Sequence, residues 1–211
     1  MGMFDYKNYD EEKSKSIFSN ALNLVSHAQD VAKELPPGWK KISAKELDYD
    51  VKAGAYEARK ALVGEHDTYG ERGTFFGEKL EVLTAQVDIS GQYDAQGKLV
   101  AIGIVFQGSR GAFGDIDSII DFVASNARAM NDHGFSIEYP YLAFEKLLSA
   151  VANFAKQNGL TGENITITGA SLGGMAVNGM ADLSETRWGG SIRTPTTSDL
   201  YHQPYPRHKK S

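Results

Sequence analysis

A chain of 211 residues with 41% hydrophobic and 23% charged side chains holds enough apolar material for one folded domain and is no disordered segment. A net charge of −5 gives general nucleic-acid binding no electrostatic support, and the lack of cysteine excludes disulfides, thiolate metal sites and a cysteine nucleophile. No run approaches the ~20 apolar residues of a membrane span, so stable membrane insertion is not expected.

Taken in chain order, the first signal is Asp10-Glu11-Glu12 followed by Ile17, Phe18, Ala21, Leu22, Leu24 and Val25. This pattern predicts an amphipathic helix with acidic residues in its first turn. Pro36-Pro37-Gly38 ends whatever helix precedes it, residues 39–47 form a short ordered stretch, and residues 53–63 have helical composition. Residues 83–89 alternate as a strand does. Turn-rich residues 94–97 and the apolar run Leu99–Phe106 then complete a predicted β-hairpin. A helix is expected over 117–129 and a stronger one over 141–157, where Leu142, Phe144, Leu147, Leu148, Val151 and Phe154 share a face and Asn158-Gly159 stops it. Ile165–Thr168 reads as a short β-branched strand and 172–183 as a helix of small residues, which is α/β organisation. Residues 191–211 have three prolines, no apolar periodicity and a basic end. From 187 onward five basic side chains face Asp199 alone, so that stretch is +4 and the rest of the chain −9. No secondary structure is expected there.

Chemistry is concentrated in Gly169-Ala170-Ser171-Leu172-Gly173-Gly174, between the predicted strand and the small-residue helix. G-x-S-x-G in that context is the nucleophile elbow, in which a serine sits on a tight strand-to-helix turn and the flanking glycines permit close backbone approach. The helix N-terminus places partial positive charge where an oxyanion develops. The plainer alternative is a glycine-rich turn that contains a serine. Upstream, Phe106-Gln107-Gly108-Ser109-Arg110-Gly111 follows the apolar strand directly. An elbow needs a second donor from the end of a neighbouring strand. Ser109 is the candidate there, with the Leu172 N–H as the other donor.

Several segments resemble one family. They are residues 73–78 (Gly-Thr-Phe-Phe-Gly-Glu), 84–87, 91–97, 102–106, 154–160 and 176–183 (Ala-Val-Asn-Gly-Met-Ala-Asp-Leu), with the opening Met1–Asn8. Together they look like the calcium-dependent lipases that Gram-negative bacteria export in one step by the type I system, close to polyurethane-degrading esterases. The resemblance implies an α/β-hydrolase-type lipase catalytic domain over residues 1–190, incomplete at the C-terminus, with 191–211 as an irregular basic tail. It implies a carboxylic ester (lipid) hydrolase with Ser171 as nucleophile, and Ca²⁺ held by Gln86, Asp117 and Asp121. Oxygen donors of this kind suit a hard cation, although Asp117 as a helix cap and Asp121 as a solvated carboxylate is the alternative. It also implies an extracellular location by type I export, or a cytoplasmic one if the export signal is absent; the opening residues themselves lack the apolar h-region of an N-terminal signal peptide.

The chain departs from the family pattern in four places. Ala170 stands where the family has histidine and Gln107 where it has arginine. The long lid is reduced to about ten residues, with 52–70 inserted in its place. Resemblance ends near Gly190. The acid and base should follow the serine in the order Ser…Asp…His, and the downstream candidates are Asp182, on the helix after the serine, and Asp199, His202 and His208, all three within the tail. A triad needs a fixed base, so two functions stay open: an ester hydrolase with Ser171, Asp199 and His202, or a catalytically silent binding protein of the same fold.

Overall fold

A computed structural model describes residues 11–29, 33–51, 73–78, 85–107, 139–169 and 172–182. Among them, five strands form one mixed sheet: β1 (Trp39–Lys41), β2 (Thr74–Phe76), β3 (Gln86–Tyr93), β4 (Leu99–Phe106) and β5 (Ile165–Gly169). Three α-helices accompany it, α1 (Glu11–Gln29), α2 (Tyr139–Gln157) and α3 (Leu172–Asp182). β3 pairs antiparallel with β4, while β1 and β2 share its other edge, β2 beside its first residues and β1 beside its last. β4 and β5 run parallel, with Ile102 opposite Ile165 and Phe106 opposite Gly169.

The expected hairpin is present. β4 spans the run read from the sequence, whereas β3 begins at Gln86 and continues to Tyr93 through a bulge at Gln92/Tyr93. The turn is set by Asp94, whose Oδ1 accepts the N–H groups of Gln96 (3.0 Å) and Lys98 (2.8 Å), with Gly97 at φ +77°.

Strand alternation separates two buried faces. Val87, Ile89, Ile102, Ile104, Phe106, Ile165 and Ile167 line one face and pack with Leu147, Leu148 and Val151 of α2 and with Ala176, Val177 and Met180 of α3. On the other face Val105 and Trp39 pack with Leu24 and Ala28 of α1. The result is helices on both sides of a sheet, as the α/β reading required. In α1 the buried stripe differs from the one expected: Leu24 and Ala28 are buried, whereas Phe18 and Leu22 are 49% and 61% exposed. Leu24 and Ala28 stand one turn apart, and the helical repeat carries Phe18 and Leu22 away from that stripe.

α2 is two segments joined at Phe144, whose φ/ψ of −138°/32° is not helical. Its C-terminus closes as Asn158-Gly159 predicted. Gly159 has φ +70°, its N–H reaches Lys156 O (3.1 Å), and the Leu160 N–H reaches Ala155 O (2.9 Å). These two bonds form a Schellman motif, and Leu160 completes it by packing on the core.

Candidate active site

Because β4 and β5 are parallel and Phe106 stands opposite Gly169, the two strands end level with each other. The chain leaves β4 at Gln107 and β5 at Gly169 side by side. Only residues 170 and 171 separate β5 from the first residue of α3, Leu172. A strand feeding a helix within two residues, beside the end of a parallel neighbour, is the arrangement that an elbow and its second donor segment require. It also lies at the carboxyl ends of adjacent parallel strands, where open α/β sheets place their sites.

Two glycines make this junction possible. A β-carbon on Gly173 would fall 2.1 Å from Phe106 O, and one on Gly169 would fall 2.5 Å from the Gly173 carbonyl and 2.9 Å from Phe106 O. All of these neighbours are backbone, so no side chain can swing aside. The first turn of α3, the end of β5 and the end of β4 are therefore in direct main-chain contact. Gly169 and Gly173 are the outer glycines of the G-x-S-x-G pattern, and close approach accounts for both.

A buried polar cluster lies beside the end of β4. Asp88 of β3 is 2% exposed. Its Oδ1 accepts Thr74 Oγ1–H (2.7 Å) and the Gln107 side-chain amide (3.2 Å). Its Oδ2 faces Lys41 Nζ at 3.0 Å, an ion pair with a lysine side chain that is 20% exposed. On a sheet with one solvated face, the polar positions of an alternating strand face water. The structure instead buries Asp88 and Ser90, because the sheet is covered on both faces. No sequence pattern signalled this cluster, whose members lie on β1, β2, β3 and the exit of β4.

A second buried carboxylate supports α2. Glu78 is 6% exposed, and its Oε2 and Oε1 accept the N–H groups of Lys146 (3.0 Å) and Leu147 (2.7 Å). With Phe144 as the last non-helical residue, these are the orphan donors of the second helical segment, and Glu78 caps them from 68 residues away. Tyr49 O–H donates to Glu78 Oε1 (3.2 Å). Burial first, then the adjacent Glu78 charge, pushes the Tyr49 phenol well above the ordinary tyrosine value.

Of the residues singled out by sequence, Leu172 is the first residue of α3 and Gln86 the first of β3. Ser171, Ser109, Asp117, Asp121, Asp199, His202 and His208 lie outside the described residues, as do the helices expected at 53–63 and 117–129 and the tail at 191–211. Among the described residues no group of three or more His, Cys, Asp or Glu could hold a metal ion. No described helix is long and apolar enough to cross a membrane.

No family model matches the chain. Individual proteins do. The chain is 35% identical over 228 aligned residues to a lipase of Pseudomonas fluorescens, covering 90% of this chain and 48% of that one. It is 32% identical to a second lipase of the same organism, covering 90% and 50%. The fold matches the crystal structure of the extracellular lipase LipA from Serratia marcescens with a TM-score of 0.70 and 33% identity, over 90% of this chain and 37% of that one. The chain thus spans about half the length of the Pseudomonas lipases it matches. Alongside the level strand ends and the paired glycines, the likeness over the stretch that the chain spans is to bacterial true lipases.

Proposed function

We propose that the chain carries the nucleophile and oxyanion site of a serine lipase acting on lipid-like carboxylic esters, on an α/β-hydrolase-type catalytic domain over residues 1–190. The observation that carries this reading is the junction itself: Gly169 and Gly173 packed on Phe106 O at the level ends of β4 and β5. Ser171 Oγ attacks the acyl carbon, and a histidine, His202 with Asp199 behind it, takes the serine proton. The developing oxyanion is met by the N–H groups of Leu172 and Ser109. Collapse releases the alcohol, which recovers the proton, and water then hydrolyses the acyl-enzyme. Likeness to lipases, one of them extracellular, supports this substrate class and an extracellular location.

Calcium is part of the proposal. Gln86, Asp117 and Asp121 would offer an amide and two carboxylate oxygens, a donor set suited to a hard cation. Gln86 stands half-buried where β3 begins beside β2, and with its main-chain carbonyl engaged by the Gln107 N–H at 3.0 Å the side-chain amide is the donor it would offer. Such an ion would brace the segment between β4 and α2.

Hydrolysis of p-nitrophenyl butyrate by the wild type and by Ser171→Ala tests the reading. Loss of the nucleophile is expected to lower kcat by at least about a thousandfold. Equal turnover by both proteins would reject Ser171, and no turnover by either would favour the silent binding protein.

A further inference from the structure

Gln107 is the residue through which the chain leaves β4, and it is tied down three ways. Its N–H donates to Gln86 O (3.0 Å), and its side-chain amide donates to Asp88 Oδ1 (3.2 Å) and Thr74 Oγ1 (3.4 Å). Thr74 passes its own proton to the same Asp88 oxygen (2.7 Å), so the three side chains close a triangle. Lys41 faces the opposite oxygen of Asp88 at 3.0 Å.

Stability alone is a poor reason for this cluster. Desolvating a carboxylate and an ammonium consumes most of what their attraction returns, and apolar residues of similar volume often do as well or better. Place in the chain is the better reason. Gln107 precedes Ser109 by two residues, and at 9% exposure its amide is held against Asp88 and Thr74 rather than in water. Strands β1, β2 and β3 each contribute one side chain to fix the point where the segment bearing Ser109 begins.

We propose that Asp88 and Gln107 are positioning residues: Asp88 holds the Gln107 amide, and Gln107 aims the Ser109 N–H at the oxyanion. The inference rests on the assignment of Ser109 as an oxyanion donor. A donor that is misplaced acts on the transition state more than on the bound ester, so the loss falls on kcat and not on KM.

Steady-state kinetics on p-nitrophenyl butyrate test this with the full chain. Gln107→Met, which keeps the length and removes the amide, is expected to lower kcat about 10- to 100-fold with KM within about twofold. Asp88→Leu should do the same. Asp88→Asn, which keeps one oxygen for Thr74 and Gln107, should recover about tenfold of that loss. Hydrogen exchange supplies a readout independent of turnover: exchange across residues 108–111 should quicken in Gln107→Met, while that of α3 stays as in the wild type. Unchanged kcat in Gln107→Met, or equal losses in Asp88→Leu and Asp88→Asn, overturns the proposal. If Ser171→Ala hydrolyses ester as fast as the wild type, the Ser171 reading fails by itself. The exchange measurement then decides positioning, and unchanged exchange at 108–111 refutes it.

Discussion

A β-carbon on Gly173 would lie 2.1 Å from the carbonyl oxygen of Phe106, closer than any real β-carbon approaches a backbone atom. The lack of a side chain at this position is therefore what lets the first turn of α3 come so near the end of β4. The contact lies in the packing, and the catalytic reading depends on it. A first turn pushed outward would carry the Leu172 N–H away from the site.

Gly173→Ala should accordingly be costly, and for a reason unrelated to backbone freedom. Overpacking against fixed backbone commonly costs about 1–3 kcal/mol, and a 2.1 Å contact belongs at or beyond the upper end. Gly159→Ala is the control. Gly159 has φ +70° but nothing within 4 Å of its β-carbon position, so only the left-handed penalty of about 1 kcal/mol applies. Urea unfolding of the two variants should separate them by at least about 1 kcal/mol, and equal losses would mean that the β4–α3 contact is looser than described.

How far the sequence revealed this arrangement depended on whether the information was local. β4, β5, α3 and the Gly159 stop were legible because apolar runs, β-branched residues and an Asn-Gly pair act within a few residues. The outer glycines of the G-x-S-x-G pattern were legible as a motif, although their actual partner, Phe106 O, lies far off in sequence. Asp88 was not legible. Alternation assigns polar strand positions to water, whereas Asp88 is enclosed with Thr74, Gln107 and Lys41, which come from other strands and the exit of β4. Three-residue strands such as β1 and β2 carry too little pattern to register, and exist because β3 offers them an edge. The break at Phe144 was invisible for the same reason. Its apolar spacing continues across the kink, and its cap comes from Glu78, 68 residues earlier than Lys146.

That cap leads to the next prediction. Removing Glu78 leaves the N–H groups of Lys146 and Leu147 without their acceptor, and Leu147 is wholly buried. Bonds to a charged acceptor contribute about 1.5–3 kcal/mol, and an orphaned buried donor costs about as much, so Glu78→Ala should lose roughly 3 kcal/mol. Glu78→Gln keeps one carbonyl oxygen and should lose about half. The ordering is checked by chemical denaturation. A Gln variant no better than Ala would show that the second carboxylate oxygen is indispensable.

Tyr49 makes the alkaline limb of stability measurable. Burial, reinforced by Glu78, holds the phenol protonated in the folded chain above its ordinary pKa of about 10. Between that value and the higher folded one, the unfolded chain has released the proton and the native one has not. The native state then binds more protons, and stability falls as pH rises. Below about pH 10 the contribution is fully present. Tyr49→Phe has no such proton, so its stability should decline less steeply between about pH 10 and 11.5, at the cost of one hydrogen bond of about 1 kcal/mol at neutral pH. Some alkaline slope should survive, because burial and then Glu46 push Tyr93 in the same direction. Urea midpoints across that range decide the matter. Parallel curves for wild type and Tyr49→Phe would mean that the phenol ionises in the folded chain as freely as in water.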